Sequence, residues 1–288
     1  MIYRISTLRS RLILLLMSFL FFRAEQWCLQ TTLSLTMEAT KMDYAPDNSL
    51  FAITSTPGNK VLIYEPFNYN LDFTYSPAAT KTVQTARFSK NGIYLGVGLS
   101  DGSVDLIPGK FPFSSTANRS FTPAAGKTVS DIAFDVGNAN LLVCYSNSGT
   151  FYVIHNYAGA STINSNSLTG TTGIKGCKFS QNNDVVIIDV TNKVYIFPST
   201  LTPVTTSLTS SGGPYADVDV RYSTVTPIKV ILGGTTDNKG FYLLNGASQV
   251  ALTFTFTPTG PITAVCYSPD GLNFAMGNSA DQYMWVFN

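Results

Sequence analysis

An all-β chain assembled from repeated four-strand units is the fold class this sequence predicts, and three observations predict it. An aromatic residue closes a strand-like run at Tyr44, Phe88, Phe134, Phe179, Tyr222 and Tyr267, at intervals of 44, 46, 45, 43 and 45 residues. Each is followed by a polar turn and then by short apolar runs rich in β-branched and aromatic residues, the composition of strands. Charged residues make up only 12% of the chain, while Gly counts 22, Tyr 15 and Phe 19, against about 25% charged in ordinary soluble proteins. A period of this length divided into four short strands marks a β-propeller blade.

The repeats justify themselves in order. The first reads Met42–Ala45, a Pro46-Asp47-Asn48 turn, Leu50–Thr54, Lys60–Tyr64 and Leu71–Tyr75. The second reads Thr85–Phe88, the turn Ser89–Gly92, Ile93–Leu99, the tight Asp101-Gly102 step, Ser103–Ile107 and Arg119–Thr122. The third gives Asp131–Phe134, Leu141–Tyr145, Thr150–Ile154 and Ser161–Asn164; the fourth gives Gly176–Phe179, Val185–Asp189, Lys193–Phe197 and Thr205–Leu208. In the fifth the strands are Asp217–Tyr222, Lys229–Leu232, Gly240–Leu243 and Ala251–Phe256. The sixth has Thr263–Tyr267, the turn Ser268-Pro269-Asp270-Gly271, Leu272–Met276 and Gln282–Phe287. In that last turn Pro presets φ, Asp bonds its own backbone and Gly accepts positive φ.

The sixth repeat stops after three strands, and an open blade leaves an exposed edge. The strand-like run Thr31–Leu35 directly precedes the first repeat, so it is expected to supply the missing outer strand and close the ring. Six blades follow, within a single domain over residues 31–288. Seven is the alternative count, with a further blade drawn from Leu12–Leu35 and Trp27 in a third-strand position.

Residues 1–24 differ from the rest. Arg4, Arg9 and Arg11 precede the apolar run Leu12–Phe22, the layout of a secretory signal and too short for an ordinary spanning helix of about 20 residues. Ala24 offers a cleavage position, but Phe22 and Arg23 fit the small-residue rule poorly. The reading is therefore secretory or extracellular, with a retained membrane anchor open, and with a mitochondrial presequence or a mis-assigned start (hence a cytoplasmic chain) as alternatives. Cys28, Cys144, Cys177 and Cys266 have neither metal-knuckle nor C-x-x-C spacing. They read as buried thiols, with a disulfide as the alternative. Asn118-Arg119-Ser120 is a glycosylation sequon that matters only on the secretory route.

The segments Val83-x-x-Ala86-x-Phe88-Ser89-x-Asn91-Gly92 and Ile262-x-x-Val265-x-Tyr267-Ser268-Pro269-Asp270-Gly271 resemble the turn and flanking strands of WD40 repeat proteins. The resemblance covers about residues 31–288. It implies a WD40-like β-propeller and a platform for protein assembly. The chain departs from the family pattern in lacking its Gly-His and Trp-Asp markers. The sole histidine, His155, follows a third strand, and third-strand endings carry Tyr64, Ile107, Phe197 and Phe287. The family's buried histidine–aspartate network is therefore expected to be missing, leaving apolar packing between blades to hold the fold.

First strands also carry charge. Asp43, Arg87, Lys178 and Arg221 stand one position before the closing aromatic, and Lys41, Asp131 and Asp219 three before it. Consecutive blades are expected to bring Arg87 to Asp131 and Lys178 to Asp219, as interblade ion pairs or as a small polar-ligand site at a channel mouth. With 18 Lys+Arg against 17 Asp+Glu, no field invites nucleic acid.

Asp184, Asp189, Asp237 and Asp281 read as scattered surface carboxylates, and Asp101-Gly102 and Gly233-Gly234 as turns without phosphate-loop spacing. No catalytic, cofactor-binding or metal-ligating residue is assigned, and no cofactor is expected. The expected function is a non-enzymatic protein-interaction scaffold acting through loops and blade edges, with Tyr75, Tyr157 or Tyr215 as anchors if exposed. The alternatives are a secreted carbohydrate-binding or carbohydrate-processing propeller, or a structural subunit of a larger assembly.

Overall fold

The structure is a computed structural model that describes residues 39–288, apart from 56–57, 67–69, 181–182, 192, 198–205, 209–214, 221–228, 235–239, 245–249, 252–258, 261, 268–273, 279–283 and 288. The described residues are strands and turns, with no helix among them. They fall into two compact units, one within Thr31–Phe179 and one within Ser180–Asn288. The signal-like segment 1–24, Cys28, the expected closing strand Thr31–Leu35 and the Ser268–Gly271 turn lie outside the described residues.

The first unit holds three antiparallel four-stranded sheets, each meandering in chain order. They are β1 (Lys41–Tyr44), β2 (Phe51–Ser55), β3 (Lys60–Tyr64) and β4 (Leu71–Tyr75); β5 (Val83–Phe88), β6 (Tyr94–Leu99), β7 (Val104–Pro108) and β8 (Arg119–Phe121); and β9 (Val129–Phe134), β10 (Asn140–Tyr145), β11 (Ser148–His155) and β12 (Thr162–Ser167). A further strand, β13 (Ile174–Phe179), packs against β9 and β10.

Second strands such as β2 and β10 are buried almost throughout. A strand covered on both faces needs a nearly continuous apolar run, and FAITS and LLVCY supply it. Outer strands face water on one side, and β12, TINSNS, is polar in keeping. One core joins the first two sheets through Ala52, Ile63, Val83, Leu95 and Val97, and another joins the second and third through Leu106, Ile132, Phe134, Val143 and Tyr157.

One hairpin geometry recurs after four of the first strands, β1, β5, β9 and β13. The N–H groups of Asn48, Gly92, Asn138 and Asn183 donate to the carbonyls of Ala45, Ser89, Asp135 and Ser180, three residues back. Those four donors have φ of 58°, 70°, 54° and 63°, the left-handed region open to Gly and tolerated by Asn. A type I turn followed by a left-handed residue reverses the strand. In three of the four turns the first residue braces the turn from its side chain. The Ser89 hydroxyl accepts from Tyr94 N–H, Asp135 Oδ1 from Ala139 and Asn140 N–H, and Ser180 Oγ from Asp184 N–H.

In the second unit, β14 (Val185–Asp189), β15 (Val194–Phe197) and β16 (Thr206–Leu208) pair antiparallel in order. A four-stranded sheet follows, β17 (Tyr215–Val220), β18 (Lys229–Gly234), β19 (Gly240–Leu244) and β20 (Val250–Ala251), then a three-stranded one, β21 (Ile262–Tyr267), β22 (Phe274–Asn278) and β23 (Met284–Phe287). Val185, Val186, Ile187 and Ile188 are buried, as are Val220, Ile262, Val265 and Met276. Within the described residues the strand predictions are met with small shifts, and of the expected Ala251–Phe256 strand only Ala251 is described. First strands begin up to two residues earlier than expected, and the third sheet's outer strand extends to Ser167.

Candidate functional site

Residues one and three positions before a closing aromatic lie on the same side of a strand, because side chains alternate. β1, β5, β9 and β13 pack in succession, so this rule gathers Lys41, Asp43, Thr85, Arg87, Asp131 and Lys178 into one polar seam. Asp131, 4% exposed, is its centre. Its Oδ1 accepts from Thr85 Oγ1 at 3.1 Å, Arg87 Nη2 at 3.3 Å and Lys41 Nζ at 3.4 Å. Oδ2 accepts from Cys177 N–H at 3.4 Å. Lys41 also donates to Ser130 O at 2.6 Å, and Arg87 Nη1 donates to Met42 O at 3.2 Å. Asp43 lies 3.8 Å from Arg87 Nη1 and accepts from Phe88 N–H at 2.7 Å.

Burial works against the charge on Asp131, but Arg87, Lys41, Lys178 and the Cys177 amide outweigh it and hold the carboxyl well below its usual range. An ionised carboxylate engaged by four donors is a fastener between strands, with no proton to give. The expected Arg87–Asp131 pair is present. Lys178 also acts on Asp131; Asp219, its expected partner, belongs to the other unit.

The other sequence candidates resolve into structural roles. Tyr75 is 3% exposed and donates to Asp105 Oδ2 at 2.6 Å, while Tyr157 is fully buried, edge-on to Tyr94 and Phe134. Burial therefore removes both as surface anchors. The side chain of Tyr215, and Asp237 and Asp281, lie outside what is described. His155 is a connector. Asn140 Nδ2 donates to Asp135 Oδ2 at 2.7 Å, which turns Asn140 Oδ1 toward His155 Nδ1 at 2.7 Å. Nδ1 thus carries the proton, and Nε2 accepts from Asn164 Nδ2 at 3.2 Å.

Asp184 accepts from Ser180 Oγ in its turn. Asp189 is completely buried rather than on the surface, and it accepts from Thr191 Oγ1, Lys193 N–H and the Tyr195 hydroxyl. In the second sheet Lys81 Nζ lies 3.0 Å from Asp101 Oδ2 and 3.1 Å from Ser103 Oγ. Asn118 of the sequon is exposed, and its N–H donates to Leu106 O. Among the described residues no group of three His, Cys, Asp or Glu side chains is placed to hold a metal ion, and no helix is long and apolar enough to cross a membrane.

A second feature was not foreseen. The turns after β1, β5 and β9 interlock with the loop between β7 and β8. Asn91 N–H donates to Asn138 Oδ1 at 2.8 Å, Gly109 N–H to Ile93 O at 2.8 Å, and Lys110 Nζ to Asp47 Oδ2 at 2.9 Å. Further along that loop, Phe113 stacks on Phe73 with centroids 5.2 Å apart. On this pinned rim Ile93, Phe111 and Val136 are 53%, 86% and 38% exposed. Apolar side chains gathered on one rim are the kind of surface that partners cover. The faint signal was an apolar residue at two of the polar turns, Ile93 and Val136, and an aromatic next to Pro112 in the Pro108–Pro112 loop.

A search of curated proteins finds no match to the chain. The family model described as WD domain, G-beta repeat (WD40) matches residues 250–288. Over that last repeat the chain is similar to WD40 proteins, and its all-strand architecture of four-stranded antiparallel sheets fits a WD40-like β-propeller.

Proposed function

We propose that this chain is a non-enzymatic protein-interaction scaffold whose contact surface is the turn-lined rim bearing Ile93, Phe111 and Val136. The observation that carries the reading is Phe111, 86% exposed on a loop held at both ends. A rigidly presented aromatic loses little conformational freedom on binding, which is how interface hot spots are built. The WD40 match adds support, because proteins of that kind commonly act as assembly platforms.

Covering a phenyl side chain contributes roughly 2 kcal/mol, or about 30-fold in affinity. Affinity isolation from the native source should therefore recover a protein partner with the parent chain and lose it with Phe111→Ala combined with Ile93→Ser. A control variant at Asn164, on the opposite kind of element, should retain the partner. Identical partners from the parent and the rim variant would refute the reading.

A further inference from the structure

The seam around Asp131 also brings two sulfurs together. Cys144 is the cross-strand partner of Asp131 in the β9–β10 pairing, and the Cys177 amide donates to the same carboxylate. Their side chains are 0% and 1% exposed, and Cys177 lies near enough to act on the Cys144 thiol. Neither is bridged in the structure. We propose that Cys144 and Cys177 are a dithiol that closes to an internal disulfide when the chain meets a small-molecule disulfide such as oxidised glutathione, tying the third sheet covalently to β13.

The chemistry balances in two exchanges. One cysteine thiolate attacks a glutathione sulfur, the S–S bond breaks, and glutathione leaves as a thiolate that takes up the released proton. The second cysteine thiolate attacks the protein sulfur of that mixed disulfide, the Cys144–Cys177 bond forms, and a second glutathione departs. Two protein thiols are oxidised by two electrons, and one glutathione disulfide is reduced to two thiols.

The surroundings set when this happens. Burial pushes the Cys144 thiol up, and the Cys177 sulfur and the Asp131 carboxylate push the same way. In the closed protein Cys144 thus has little thiolate, and burial of both sulfurs leaves the oxidant no path. The bridge forms as sheets come together during folding, or during transient opening, and is then shielded from reductant.

Trypsin makes the test sharp, because Cys144 lies in the peptide 128–175 and Cys177 in the tripeptide 176–178. The full chain carrying Cys28→Ala and Cys266→Ala is treated with oxidised glutathione, once in buffer and once near its unfolding midpoint, then alkylated and digested. The expected product is the two peptides joined and two hydrogens lighter, abundant near the midpoint and scarce in buffer. Its unfolding midpoint should rise by about 5 °C or more, and dithiothreitol should reverse the rise only when applied near the midpoint. In a Cys144→Ala variant Cys177 should carry glutathione instead; if that variant does not fold, the joined peptide from the parent decides alone. Recovery of both cysteines alkylated, or each with its own glutathione, would overturn the proposal.

Discussion

Replacing Asp131 by Asn keeps the side chain's size and removes its charge. Arg87 and Lys41 lose their shared counter-ion, and the amide nitrogen of Asn meets either the Cys177 N–H or the Thr85 hydroxyl in place of an acceptor. Removing one partner of a buried ion pair costs about 3–5 kcal/mol. Here the cations have other acceptors, Met42 O and Ser130 O, and their side chains are 19% and 29% exposed, so water screens part of the loss. The expected cost at pH 7 is about 2–3 kcal/mol, or roughly 5 °C in thermal unfolding.

The pH dependence carries the sign. Asp131 titrates lower in the folded chain than in the unfolded one. Its contribution is therefore complete above about pH 4 and disappears as pH falls through the folded value. Circular dichroism melts of parent and Asp131→Asn at several pH values provide the assay. The gap should be constant from pH 7 to about pH 5 and narrow below about pH 4. A gap under about 0.5 kcal/mol at pH 7, or one that persists unchanged at pH 2.5, would refute the fastener reasoning.

Gly102 should tolerate no side chain. Its φ is +90°, and a Cβ would sit 1.9 Å from Ala124 O, so Gly102→Ala should cost about 3 kcal/mol or more by urea unfolding. Asp47, on the rim, is held at about 2 first by the Ser49 hydroxyl and then by Lys110. Titration by carboxylate NMR should find Ser49→Ala raising that value more than Lys110→Ala does. Whatever Asp47 adds to stability is present above about pH 4 and fades toward pH 2. It should be small, because the pair is half exposed.

Most of the strand pattern was legible because each element carries its own periodicity and stop signal. The Arg87–Asp131 contact was legible too, since position relative to a closing aromatic is enough to choose the side of a strand. Tyr75 and Tyr157 misled for the opposite reason. Amphipathic aromatics look alike in sequence whether their hydroxyl reaches water or a buried acceptor, and here Tyr75 reaches Asp105. Phe111 escaped notice because an apolar residue in a loop carries no period, and its exposure depends on contacts made far along the chain by Lys110 and Phe113. The contact of Lys81 with Asp101 is likewise a tertiary fact, invisible until both turns are placed.

What recurs after the first strands β1, β5, β9 and β13 is a dihedral angle more than a residue. Asn48, Gly92, Asn138 and Asn183 meet the same demand with two side chains of very different size. One backbone handedness is met by either residue, so the lettering of such a turn can differ between copies while the reversal of direction stays the same. Duplicated units can in this way become strangers to one another in spelling and remain interchangeable in shape.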